Sequence, residues 1–310
     1  MCGIVAAAAQ REVSGILLEG LRRLEYRGYD SAGMALIDAG QALQLHKHAG
    51  KVKNLEDATA RHPISGQRGV AHTRWATHGE PTSANAHPHL SGERVALVHN
   101  GIIENHATLR NALKAEGVVF QSETDTEVIV HLIHSSLAQG ETLFDAVRLT
   151  VAKLEGAYAI AVVDTSHDDE VVVAREGSPL VLGIGIGEMF AGSDTLALRQ
   201  VTDTFVYLED GDLAILSAGG YQIFDKTGDS LERAETRLRD TDNQADRGEF
   251  EHYMLKEIYE QPDRLRDTLT FEALNESLFG EAAAAIFDHV PAVQINACGN
   301  SYTAGLVPPH

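Results

Sequence analysis

An α+β protein, with layered sheets flanked by helices, is what this 310-residue sequence predicts. Three observations carry that expectation. The chain opens on an unbroken apolar run, Ile4-Val5-Ala6-Ala7-Ala8-Ala9, which suits a buried strand. Strand-like segments then cluster together, as do helical periodicities, without strict alternation between the two. Finally, 44% hydrophobic residues over this length suffice for a substantial core, in one large domain or in one domain plus a fragment of another.

The elements follow in order. Val13, Ile16, Leu17, Leu21 and Leu24 recur at helical spacing opposite Glu19, Arg22 and Arg23, so this helix covers a sheet. The polar segment 25–33, with two glycines, reads as a loop rich in donors. Met34 to Ile37 and Leu43 to His48 read as strands joined by a turn at Asp38-Ala39-Gly40. A short polar helix spans Lys51 to Ala60, and a strand spans Gly69 to Arg74. The latter enters a long loop, Trp75 to Gly92, containing Pro81 and Pro88; unstructured loops of that length are uncommon unless functional or disordered. Val95 to His99 is the next strand, ending at Asn100-Gly101. Helices follow at Ala107 to Glu116, Thr126 to Ala138 and Leu143 to Leu154. Strands resume at Tyr158 to Val163, Val171 to Ala174, Leu180 to Ile184, Glu188 to Ala191, Phe205 to Leu208, Leu213 to Ser217 and Tyr221 to Phe224.

Residues 226–248 are nearly all polar or charged and read as a linker between a first domain, 2–225, and the start of a second, 249–310. Within the latter, Glu249 to Tyr259 and Ala282 to Phe287 read as helical, and Ala292 to Ala297 as a short strand.

The charge balance, 25 basic against 45 acidic residues for a formal −20, argues against nucleic acid or an anionic membrane as partner. Two cysteines, Cys2 and Cys298, are too few for a disulfide framework and suit a reducing cytosol. No signal-peptide pattern opens the sequence, so a cytoplasmic location is expected.

Cys2 lies one peptide bond from the chain start. If Met1 is removed, it carries both a thiol and a free α-amino group, whose ordinary pKa of about 7.7–8.0 lets it accept the thiol's proton. Such a nucleophile attacking an amide needs donors for the oxyanion; Asn100 offers a side-chain NH2 and Gly101 an unobstructed N–H. Asn-Gly is equally a common hairpin turn. Arg74 could hold a substrate carboxylate and Asp125 an ammonium, although Thr124 or Asp125 could merely cap the helix that follows. Opposite charges placed to meet a zwitterion describe an α-amino-acid site.

Six segments carry a resemblance: Met1-Cys2-Gly3-Ile4-Val5, Glu25 to Gly33, His72 to Gly79, Asn85 to His89, His99 to Asn105 and Ser122 to Glu127. Together they resemble the glutaminase domain of the glutamine–fructose-6-phosphate aminotransferase family, a class II glutamine amidotransferase. The resemblance implies an N-terminal-nucleophile hydrolase fold, an αββα sandwich. It also implies that Cys2 attacks the glutamine side-chain amide, with Asn100 and Gly101 forming the oxyanion hole. Arg74 and Asp125 then take the two ends of the amino acid, with Thr77 and His78 beside them. Trp75 resembles the family's gate on the ammonia path, Arg27 lies in the segment ordering the nucleophile's surroundings, and His87 lies in a loop closing over the site.

No cofactor is expected. His72, His78, His87, His89 and His99 crowd one region, but their spacing follows no usual ligand pattern and no cysteine or paired carboxylate joins them, which argues against a metal. His131 and His134, three apart on a helix, are expected at the surface.

Beyond the linker, His252 to Pro262 resembles the opening of the family's sugar isomerase half. Cys298-Gly299-Asn300-Ser301 resembles its first phosphate-binding turn, with Asn300 where the family usually has Thr. The resemblance implies further sugar-isomerase residues than these, so fructose 6-phosphate conversion is not expected of these residues alone. L-Glutamine is the expected partner, with a homo-oligomer as an option. Two alternatives stand beside this reading: the glutaminase half of another class II amidotransferase, and an inactive or regulatory glutamine-binding module that needs an acceptor domain.

Overall fold

The computed structural model describes residues 2–76, 79–167 and 169–238, and beyond them residues 250, 255–256, 258–262 and 266. The chain separates into two compact units, Met1–Ala245 and Asp246–His310. The second is helical at 255–256, 258–262 and 266.

The first unit holds two antiparallel sheets. One contains β1 (Gly3–Ala9), β2 (Ser31–Ile37), β3 (Leu43–Ala49), β4 (Arg68–Arg74), β9 (Val181–Ile184), β10 (Glu188–Gly192), β11 (Thr204–Tyr207) and β15 (Glu235–Arg237). Its order is β15-β11-β9-β10-β1-β4-β2-β3, so β1 lies inside the sheet, between β10 and β4. That position explains the uninterrupted apolar run, because every residue of β1 is buried. The second sheet contains β5 (His89–Ser91), β6 (Val95–Ile103), β7 (Gly156–Asp164), β8 (Val171–Glu176), β12 (Leu213–Ser217), β13 (Gly220–Phe224) and β14 (Ser230–Leu231), ordered β14-β13-β12-β8-β7-β6-β5.

Side chains alternate across each sheet, and three cores result. Ile4, Ala6, Ala8, Ala35, Val70, Ala96, Val98, Ala159 and Ala161 share the core between the sheets. Val5, Ala7, Met34 and Leu36 face the other way, onto helix α1 (Ser14–Leu24) and helix α2 (Val52–Arg61). Val95, Leu97, Ile160 and Val162 pack outward against α3 (His106–Ala115), α4 (Glu127–Ala138) and α5 (Leu143–Val151). The layers are therefore helix, sheet, sheet, helix, as expected.

Three differences from the sequence reading have physical causes. The loop 75–92 contains β5, three residues long and too short to show a period. Residues 226–238, the first part of the expected linker, instead supply β14 and β15, which pair with β13 and β11. Their exposed, polar positions hide the alternation that betrays a half-buried strand. The rest of that expected linker lies outside the described residues. Finally, the strand expected to stop before Asn100-Gly101 continues through both to Ile103, in register with β7.

Candidate active site

The site continues the inner faces of the two sheets past the point where their side chains stop being apolar. On β4 the inward positions run Val70, His72, Arg74; on β6 they run Ala96, Val98, Asn100; on β1, stepping back from Ala6 and Ile4 by two leads to Cys2. Cys2, Arg74, Trp75, His87, His99, Gly101, Thr124, Asp125 and Thr126 line one pocket at that end.

Cys2 is tied down at two atoms. Its Sγ accepts the Trp75 backbone N–H at 3.2 Å, and its carbonyl oxygen accepts Asn100 Nδ2–H at 3.2 Å. Burial pushes the Cys2 thiol up from its ordinary value, while the Trp75 N–H pulls it back in part. The strand below is held by Ser193, whose Oγ accepts the Ile4 N–H and whose N–H donates to the Ile4 carbonyl. Arg27 is not in the pocket. It pairs with Asp194 at the end of β10, bracing the turn after α1 against the strand beside β1.

Asn100-Gly101 is no hairpin turn. Gly101 has φ 135°, and a Cβ there would overlap the Ala157 carbonyl on β7, so only glycine keeps β6 in register at this point.

Arg74 is 4% exposed. It donates to the carbonyls of Gly79 and Glu80 at 3.1 and 3.2 Å and lies 3.6 Å from Asp30. Asp30, which the sequence reading left unassigned within segment 25–33, also accepts the N–H of Ala76 and so fixes the strand-to-loop exit that carries Trp75. The Trp75 side chain is 54% exposed and lies over Gly28, whose φ of 114° and missing Cβ make room for the indole.

Asp125 does not cap α4, nor does Thr124: the helix N-cap, Thr126, makes no side-chain capping bond. Asp125 instead accepts the Ile103 N–H at 2.8 Å, across to β6. The segment that presents it is built from both ends. Arg110 holds the carbonyls of Ser122 and Thr124, and Glu127 accepts the N–H groups of Gln121 and Ser122. Burial would raise the Glu127 carboxyl, but the His131 ring and those Gln121 and Ser122 donors hold it down at about 2.

Histidines wall the pocket from behind. His87, expected on a loop closing over the site, is buried, with its ring centroid 4.1 Å from that of His72 and 4.7 Å from that of His89. Burial pushes His72 down to about 3 and His87 and His89 well below their usual range; His99 is lowered for the same reason. Among the described residues, no group of three or more His, Cys, Asp or Glu side chains is placed to hold a metal ion. His131 and His134, expected at the surface, are half-buried, with their Nδ1 atoms 2.9 and 2.6 Å from Ser91 Oγ. Thr77 and His78, and the turn Cys298-Gly299-Asn300-Ser301, lie outside the described residues.

The pocket thus brings together Cys2, Arg74, Trp75, His87, Gly101 and Asp125, with Asn100 behind the cysteine. His72 and Asp30 are the residues that sequence reasoning missed as site components. Period-two spacing with Arg74 was the available signal for His72.

A family model described as a glutamine amidotransferase domain matches residues 72–200. Glutamine–fructose-6-phosphate aminotransferases (isomerizing) of Pseudomonas putida and Idiomarina loihiensis are each 52% identical over 311 residues, or 99% of this chain and 51% of theirs. The chain spans about half the length of the curated relatives it matches. Among solved structures, the glutamine phosphoribosylpyrophosphate amidotransferase from B. subtilis matches 73% of this chain and 49% of its own, with TM-score 0.64 and 28% identity. A glutamine aminotransferase class-II domain protein from Silicibacter pomeroyi covers 72% of this chain and 99% of its own at TM-score 0.51 and 18% identity, a likeness of fold. The chain therefore carries a glutamine amidotransferase domain with the N-terminal-nucleophile fold, and over 99% of its length it is similar to glutamine–fructose-6-phosphate aminotransferases.

Proposed function

We propose that this chain hydrolyses L-glutamine to L-glutamate and ammonia, with Cys2 as nucleophile once Met1 has been removed. One observation supports this reading most directly: Cys2, Gly101, Arg74 and Asp125 line a single pocket, and Asn100 Nδ2 reaches the Cys2 carbonyl at 3.2 Å.

The freed α-amino group takes the Cys2 proton, and Sγ attacks the glutamine side-chain carbonyl carbon. Electrons move onto the carbonyl oxygen, which Asn100 Nδ2–H and Gly101 N–H stabilise as negative charge develops. Collapse breaks the C–N bond; the α-ammonium returns its proton to the leaving nitrogen, and ammonia departs. Water then adds to the γ-glutamyl thioester, with its proton taken by the same amine, and glutamate leaves as the thiol re-forms. Arg74 takes the substrate carboxylate and Asp125 its ammonium, so binding charge sits at the end away from the chemistry. Trp75 flanks the thiol on the side open to solvent, which suits control of where ammonia goes. Burial raises the Cys2 thiol, which an adjacent amine able to take its proton would offset.

By its family, the chain supplies ammonia to the conversion of D-fructose 6-phosphate and L-glutamine into D-glucosamine 6-phosphate and L-glutamate, an amino-sugar precursor step. The acceptor chemistry falls to residues outside those described. A cytoplasmic location fits a thiol that must stay reduced.

Glutamate release from glutamine by the purified chain, with intact mass before and after a glutamine-analogue electrophile, tests this. Release together with loss of Met1 and one adduct on Cys2 is expected. No release and no adduct in a folded chain lacking Met1 would overturn it in favour of a glutamine-binding module that needs an acceptor domain. That second reading draws on Arg74, which is already engaged by Gly79, Glu80 and Asp30.

A further inference from the structure

The nucleophile and its oxyanion donor stand on different sheets: Cys2 precedes β1 of one, and Asn100 lies on β6 of the other. Chemistry between them requires that the Asn100 amide be turned with its NH2 toward Cys2. The geometry around His72 accounts for that orientation.

His72 belongs to β4, on the nucleophile's sheet, directly opposite Ile4 of β1. Its Nε2 reaches across to the second sheet, 2.9 Å from Asn100 Oδ1 and 3.0 Å from the His99 carbonyl oxygen. This crossing is possible because β5 pairs with β6 only from Val95 to Leu97. Past that point no strand among the described residues covers the β6 edge, and two imidazoles take its place: His87 Nδ1 accepts the His99 N–H, and His72 Nε2 faces the His99 carbonyl.

A carbonyl oxygen only accepts, so Nε2 must carry the proton. The other ring nitrogen agrees, since His72 Nδ1 is buried and has no hydrogen-bond partner among the described residues, and a proton there would be a buried donor with no acceptor. With Nε2–H fixed as donor, Asn100 can present only its oxygen to His72. An amide turned by 180° would set NH2 against Nε2–H and its oxygen against the Cys2 carbonyl.

We propose that His72 is a positioning residue for amide hydrolysis, holding the Asn100 carboxamide across the sheet gap so that its NH2 points at Cys2. This inference rests on the glutaminase reading of the site. Burial keeps the ring neutral, with its pKa at about 3, so one tautomer serves throughout the neutral range. The nearby Arg74 guanidinium opposes its protonation further.

The test uses the whole chain and three variants. His72→Phe keeps the ring and removes the donor. It should lower kcat for glutamate release about 100-fold, the scale of losing one oxyanion donor, and leave KM for glutamine within about two-fold. Alkylation of Cys2 by iodoacetamide, which forms no oxyanion, should stay within about two-fold. His72→Gln, whose terminal amide can replace Nε2–H, should recover at least about ten-fold of the kcat. In an Asn100→Ala background, His72→Phe should cost little more, because the group it orients is gone. Unchanged kcat in His72→Phe, a parallel rise in KM, no recovery in His72→Gln, or full additivity with Asn100→Ala would overturn the inference.

Nitrogen-15 NMR of the His72 ring in the unmodified chain decides the matter if His72→Phe fails to fold, and does so whether or not the chain releases glutamate. A neutral Nε2–H tautomer at pH 7 is expected; an Nδ1–H or doubly protonated ring overturns the proposal. Absence of glutamate release by the unmodified chain overturns instead the glutaminase reading.

Discussion

The backbone N–H of Trp75 donates to Cys2 Sγ at 3.2 Å, which places the sole tryptophan of the chain beside its N-terminal thiol. Tryptophan emission, excited selectively over the eight tyrosines, therefore reports on this pocket. Alkylating Cys2 is expected to shift the emission. Gly28→Ala should shift it as well, because the new Cβ overlaps the indole and φ is 114°. That substitution should cost roughly 1–3 kcal/mol of stability in a denaturant titration. An unmoved spectrum in both experiments would show that the indole does not sit where it is described.

Cys2→Ala should reduce glutamate release to background, with the melting temperature within a few degrees of the parent. The thiol contributes chemistry, whereas β1 is held by its pairing with β4 and β10 and by Ser193. Release equal to that of the parent would remove Cys2 from the mechanism.

Arg74→Ala and Asp125→Asn should both raise KM for glutamine, by about 10-fold or more, with smaller effects on kcat, since in the proposed binding mode each removes a charge that meets the substrate's zwitterionic end. They should differ in stability. An asparagine at 125 keeps an oxygen for the Ile103 N–H, whereas Arg74→Ala strips donors from Gly79 and Glu80 and a partner from Asp30. Steady-state kinetics with denaturation curves for each variant separates the two effects.

Gly101→Ala should lose more than about 2 kcal/mol of stability and nearly all activity, because φ is 135° and the Ala157 carbonyl occupies the Cβ position. A stable, active variant would mean that the β6–β7 register at this point is looser than described.

Stability should fall as pH drops below about 6.5. His72, His87, His89 and His99 are held neutral in the fold by burial, while in the unfolded chain they take up protons near their ordinary value of about 6.5. The unfolded state then binds more protons, so unfolding free energy decreases by about 1.4 kcal/mol per pH unit for each histidine fully in that regime. Denaturant titrations at pH 7, 6 and 5 check this. A flat profile would place these rings in contact with water.

The sheet and helix elements were legible where one face is buried and the other is not, as in α1, or where both are, as in β1. β14 and β15 escaped because their residues are largely exposed, and β5 because three residues carry no period. Among site residues, Cys2, Arg74, Gly101 and Asp125 could be singled out by residue type, and one pocket gathers them. The competing explanations for Asn100-Gly101 and Asp125, a turn and a helix cap, needed coordinates to set aside, since both depend on where a strand or helix ends. Asp30 meets Ala76, 46 residues away, and His72 meets Asn100, 28 residues away, and one chain of letters does not reveal which distant carbonyl or amide a ring or carboxylate meets.

The alanines lining the interior between the sheets, among them Ala6, Ala8, Ala96, Ala159 and Ala161, act as a spacer gauge. Sheets pack about 10 Å apart, and here the thickness of that filling sets the distance between a thiol mounted on one plate and an amide mounted on the other. A single added methyl group far from the substrate would widen the jaws without altering any reacting atom. Any such widening would draw Cys2 away from Asn100, whose contact now spans 3.2 Å.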